Sequence, residues 1–84
     1  MNPRPIAAKP LVNYELEIKF TNDEIRIFDM KPHLDFGFFT ELKNLNYFNQ
    51  AQVIDGTLSW PNEQDICPDT LYLESRPVSR GGAA

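Results

Sequence analysis

At 84 residues with a single cysteine, the chain has room for one small domain and cannot close an internal disulfide. An apolar content of 42% and an aromatic content of 12% exclude a disordered chain. The net charge of −4 is unevenly spread. Over residues 10–75 only Lys19, Arg26, Lys31 and Lys43 oppose twelve acidic residues, a net of −8, which excludes a basic phosphate-binding face and direct nucleic-acid binding. A core of this size supplies about 3–5 kcal/mol on its own, so a protein partner or self-association is expected. Met1-Asn2-Pro3-Arg4-Pro5 leads into no apolar targeting segment, and no apolar run approaches the ~18 residues of a membrane span. The expected setting is the cytoplasm, with no membrane contact and a reduced thiol.

Residues 12–20 alternate, with Val12, Tyr14, Leu16, Ile18 and Phe20 on one side and Glu15, Glu17 and Lys19 on the other, the pattern of a half-buried strand. A second strand is expected over Glu24–Met30. Asn22-Asp23 reads as a two-residue turn, because both residues tolerate positive φ. That turn pairs Phe20 with Ile25 and Ile18 with Ile27 on the inner face, and Glu17 with Phe28 on the outer face. The period then changes. Phe38, Leu42 and Leu45 fall at i, i+4 and i+7 with Phe39 beside them, which predicts a short helix within 36–45, capped by Asp35 and ended near Asn44 and Asn46.

Asp55-Gly56 is the strongest turn signal in the chain and predicts a hairpin of 48–54 with 57–61. Its register sets Val53 against Leu58 and Ala51 against Trp60 on the core side, leaving Ile54 outside. Pro68-Asp69 suits the start of a short helix over Pro68–Leu73. The expected fold is a single α+β domain over 6–75, in the order β-β-α-β-β-α. An antiparallel sheet of two hairpins carries one short helix on a face and a short C-terminal helical turn; residues 1–5 and 76–84 are expected to be flexible.

From about Ile6 to Ser75 the chain resembles domain-of-unknown-function family 2442, a group of small bacterial proteins. The resemblance rests on Tyr14-Glu15-Leu16 with Phe20, Glu24, Phe28-Asp29-Met30, Gly37-Phe38-Phe39 with Leu42, and Tyr47-Phe48. It continues through Trp60-Pro61-Asn62, Asp65-Ile66, Pro68-Asp69 and Leu71-Tyr72. It implies a small α+β domain that occurs alone or attached to a helix-turn-helix domain. Relatives are often encoded beside another small protein, as toxin–antitoxin pairs are. The family supplies no catalytic or binding residues to transfer. Asp23 and Glu63 stand where the family commonly has glycine, and no helix-turn-helix pattern follows in this sequence, so a DNA-directed role is expected to need a partner.

Trp60, Asn62, Asp65, Asp69 and Tyr72 form a candidate family-motif pocket, although Trp60 reads as core. Asp29, Asp65 and Asp69 match no known cation-loop spacing, so no metal or other cofactor is expected. Cys67 and His33 have no sequence feature to bring them together, so a catalytic dyad is not expected and the chain reads as a non-enzyme. Glu15, Glu17, Phe28 and Ile54 form the candidate interaction surface, with Phe28 and Ile54 as outward apolar residues. The leading expectation is a non-enzymatic protein-interaction module, antitoxin-like in kind. A ligand-binding or enzymatic domain built on Trp60, Asp65, Asp69 and Tyr72 is one alternative, and a structural homodimer is another.

Overall fold

The computed structural model describes residues 2–78. Its strands are β1 (Pro5–Pro10), β2 (Glu15–Phe20), β3 (Ile25–Asp29), β4 (Gln52–Ile54), β5 (Thr57–Ser59), β6 (Asp65–Ile66) and β7 (Arg76–Pro77). Its helices are α1 (Leu45–Phe48) and α2 (Pro68–Leu73), with a 3₁₀ segment over Gly37–Lys43. Two antiparallel sheets result, one in the order β1-β2-β3-β7 and the other β4-β5-β6. The α+β class stands, but the strands divide between two sheets rather than joining in one.

The β2–β3 register differs from the expected one by a single residue. Leu16 pairs with Phe28 and Ile18 with Arg26. The cause is the loop. Phe20 N–H donates to the Glu24 carbonyl and Asp23 N–H to the Phe20 carbonyl, both at 2.9 Å, so Thr21-Asn22-Asp23 is a three-residue loop. Asp23 takes the left-handed conformation that closes such a loop, φ 70°. Because side chains alternate with period two, a one-residue slip turns over the whole strand. Phe28 is therefore fully buried, and its expected outward position is corrected. Ile25 and Ile27 turn outward and are half-buried.

β1 has no alternating pattern and is bounded by Pro5 and Pro10, which suit an edge strand. It pairs with β2 and also lies against β4 and β5, so it links the sheets. Residues Val12–Tyr14, expected as strand, form the tight turn between β1 and β2, with Asn13 and Tyr14 both at φ 60°. The Tyr14 ring still reaches the core, edge-on to Phe48 at 5.4 Å. Ordered pairing thus takes in Pro5, which is buried, and Arg76–Pro77, which pair with β3. Arg4 and Val78 also join backbone hydrogen bonds, to Thr21 and Ile25; of the expected flexible ends, Met1 and 79–84 lie outside the described residues.

The helix expected within 36–45 is a 3₁₀ segment instead. With about three residues per turn, side chains three apart align, so Phe39 and Leu42 turn inward while Phe38 is 61% exposed. Asp35 does not cap; it pairs with Lys43 at 2.9 Å. Asn44 ends the 3₁₀ segment as expected, its N–H donating to the Glu41 carbonyl at 3.2 Å, and also begins α1, its side chain accepting from Asn46 N–H at 2.9 Å. The hairpin at Asp55-Gly56 forms, with shorter strands than the expected 48–54 and 57–61: Phe48 belongs to α1, and Gln52–Ile54 pairs with Thr57–Ser59. Both turn residues have positive φ, 52° and 75°, and Val53 pairs with Leu58. Pro68 opens α2 as expected. One core joins both sheets, centred on Leu16, Ile18, Phe20, Phe28, Phe48, Leu58 and Leu71.

Candidate functional site

Alternation along β4 and β5 aims Val53 and Leu58 inward, and Ile66 of β6 joins them in facing the core. Gln52, Ile54, Thr57, Ser59 and Asp65 face outward. With Asp55 in the hairpin turn and Glu63 in the next loop, they line a shallow hollow of about 560 Å³. Ile54 is 49% exposed on this face, as expected. Trp60 contributes to the rim but is 2% exposed, and its indole N–H donates to the Phe48 carbonyl at 3.0 Å. It is a core residue whose polar end is satisfied.

The loop that presents Glu63 is built like the β2–β3 loop. Trp60 N–H donates to the Gln64 carbonyl at 2.9 Å and Glu63 N–H to the Trp60 carbonyl at 3.0 Å. Glu63 takes the left-handed position, φ 75°. Asn62 does not face the hollow chemistry. Its N–H donates to the Tyr47 hydroxyl at 2.7 Å, and its side-chain amide donates to Glu41 at 2.7 Å. Tyr47 in turn donates to buried Gln64, whose amide donates to Glu41 at 3.0 Å. The hydrogen bonds from Asn62 and then Gln64 hold the Glu41 carboxyl below the usual glutamate range. Among the described residues no buried side-chain polar atom lacks a partner.

The five residues of the candidate family-motif pocket are therefore not one site. Trp60 and Asp65 share the hollow. Asp69 lies in a separate recess with Asn2, Arg4 and Cys67, and accepts from the Asn2 amide at 3.3 Å. Tyr72 packs edge-on against Phe20 and sits under Arg26, whose guanidinium carbon is 4.5 Å from the ring centre. Arg26 is spent on structure: it donates to the Ser75 hydroxyl and carbonyl, each at 2.7 Å, and to Glu24 at 3.0 Å. The Tyr72 hydroxyl also donates to Glu24 at 3.0 Å, and the bonds from Arg26 and then Tyr72 draw the Glu24 carboxyl below its ordinary range.

Nor does the expected interaction surface form one face. Glu15 and Glu17 lie on the outer side of the four-stranded sheet, and Arg76 reaches Glu15 at 3.4 Å. Phe28 is inside, and Ile54 is on the other sheet. The apolar residues beside Glu15 and Glu17 are Ile25 and Ile27, which their alternation with Arg26 and Phe28 could have indicated once the loop length was known.

His33 contacts Glu74 at 3.1 Å and stacks on Phe28, ring centres 5.5 Å apart. Cys67 is exposed at the other end of α2, whose six residues span about 9 Å. Among the described residues no three His, Cys, Asp or Glu side chains group closely enough to hold a metal ion. No helix among them is long and apolar enough to cross a membrane.

A family model described as "Protein of unknown function (DUF2442)" matches residues 5–77. The chain belongs to this family. The DUF2442 match begins with the first residue of β1 and ends with the last of β7, so the ordered sheets are the family's unit. No curated protein and no solved structure matches the chain. The two positions where glycine was expected on the family's pattern, Asp23 and Glu63, are the left-handed residues of the two three-residue loops.

Proposed function

We propose that this DUF2442 domain is a non-enzymatic protein-interaction module that holds a basic protein partner, as an antitoxin masks its toxin. One observation carries the reading: the surplus of carboxylates over cations. Over residues 2–78 seven basic side chains, with Arg4, Lys9 and Arg76 now in the ordered fold, oppose twelve acidic ones, a net of −5. Such a body attracts basic surfaces and repels phosphate backbones. On this reading the module works in the bacterial cytoplasm, where its free thiol stays reduced.

The test is retention of proteins from a native-host lysate on the immobilised chain, followed by mass spectrometry. The expected result is a basic protein released as salt rises through the range in which the Debye length falls from ~10 Å to ~3 Å. Retention indifferent to salt, or retention of bare DNA, would return the function to unknown. A structural homodimer is the second reading. It is favoured by Ile25 and Ile27, two half-buried apolar residues on the outer face of the four-stranded sheet. Sedimentation equilibrium of wild type and Ile27→Lys separates the two readings: only a homodimer would dissociate on that change.

A further inference from the structure

We propose that the outer face of β4-β5-β6 is the docking surface for a short, extended, basic segment of a protein partner; this rests on the interaction reading above and names its surface. The face is an unpartnered sheet surface. Gln52, Ile54, Thr57 and Ser59 point away from the core, and no described element lies over them.

Charge selects the occupant. Asp55, Glu63 and Asp65 edge this face, and no lysine or arginine lines it. Of the other nine carboxylates, seven have a partner among the described residues. Glu15, Glu24, Asp29, Asp35 and Glu74 are in ion pairs. Glu41 and Asp69 accept from side-chain amides. Asp55, Glu63 and Asp65 have neither kind of partner among the described residues. Arg4, which packs against Gly56, makes no ion pair with them. Three uncompensated carboxylates around one hollow repel a phosphate or an acidic peptide and attract lysine or arginine. The long stems of those side chains can lie on Ile54 while their heads reach the rim.

Size and edges narrow the choice further. Three strands about 4.8 Å apart, two of them three residues long and β6 two, offer a patch roughly 10 Å on a side, which suits one extended segment and not a broad globular surface. Pairing at an edge of this sheet is hindered, because β4 lies against β1 and β6 is only two residues long and runs into Cys67-Pro68. The segment therefore lies across the face.

The probe is an eight-residue peptide alternating arginine and valine, titrated into the ¹⁵N-labelled full chain and followed by amide shifts. Its control replaces each arginine by glutamate. The expected result is a response confined to residues 52–59 and 63–65 with the basic peptide alone. Asp55→Asn, Glu63→Gln and Asp65→Asn together should weaken it about tenfold, the sum of three modest exposed pairs. Asparagine keeps the left-handed residue at 55 acceptable. Unchanged shifts for buried Leu16 and Phe28, in the other sheet, would show that the variant is folded. Glu15→Gln with Glu17→Gln should leave affinity within about twofold. Shifts centred on Glu15 and Glu17, with the triple variant binding as wild type does, would overturn this surface and leave the interaction reading standing. No response to the basic peptide in wild type would overturn the surface as well; loss of any salt-sensitive lysate partner in addition would remove the reading beneath it.

Discussion

Glu63 carries a backbone cost that its side chain does nothing to lower. At φ 75° it occupies the left-handed region, where a residue other than glycine is disfavoured by about 1 kcal/mol or more. Glu63→Gly should raise the unfolding free energy by about 1 kcal/mol in urea titration. Asp23→Gly, at φ 70°, should gain less, because aspartate tolerates this region better. A loss at position 63 would mean that its side chain makes a stabilising contact. Trp60 is the opposite case. Trp60→Ala removes a buried ring and its bond to the Phe48 carbonyl, and should cost about 3–5 kcal/mol. In a domain with so little in reserve the variant should be largely unfolded by near-UV circular dichroism; a cost below about 1 kcal/mol would place the indole in solvent. Glu41 and Glu24 give the pH dependence its sign. Their folded carboxyls titrate below the ordinary glutamate value of about 4.3, so the unfolded chain takes up protons first. The stability they contribute is complete above that value and is lost as pH falls through the lower folded values. The urea midpoint should drop over that interval, and Glu41→Gln should drop less steeply; equal slopes would show that the Asn62 and Gln64 bonds do not persist in solution.

The elements divide into those that local chemistry dictates and those that depend on distant partners. Asp55-Gly56 dictates its own hairpin, and Pro68 its own helix start, so both were legible in the sequence. Asn22-Asp23 supports a two-residue or a three-residue loop equally well by residue type. The choice is made by burial of Leu16, Phe20 and Phe28 on one face, which is tertiary. Phe28→Ala tests it: a buried ring should cost about 3–5 kcal/mol, whereas an outward Phe28 would cost little. β1 was illegible for a related reason. Proline-bounded and without alternation, Pro5–Pro10 is a strand because β2 offers it an edge. The 3₁₀ segment was misread because Phe38, Leu42 and Leu45 mimic a 3.6-residue stripe, although only Leu42 of the three is buried. The acidic hollow fell between these cases. Ile54 could be placed outward from the hairpin alone, but Asp65 reaches the same face only through β6, whose two residues carry no periodic signal.

At the scale of the whole molecule, two sheets share one core, and β1 ties them together while its prolines blunt the outer edge. What remains available for contact is faces. One is the mixed-charge outer side of the four-stranded sheet, and the other is the acidic side of β4-β5-β6. Three unpaired carboxylates cluster on the second, against Glu17 alone on the first, so long-range attraction and final docking are assigned to the same place. Association with the basic protein retained from the native host, measured by biolayer interferometry across salt concentrations, tests this most directly. The on-rate should fall steeply as salt rises, and the Asp55→Asn, Glu63→Gln, Asp65→Asn variant should show a low on-rate with little salt dependence left. An on-rate indifferent to salt, or a triple variant that matches wild type at every concentration, would contradict the account.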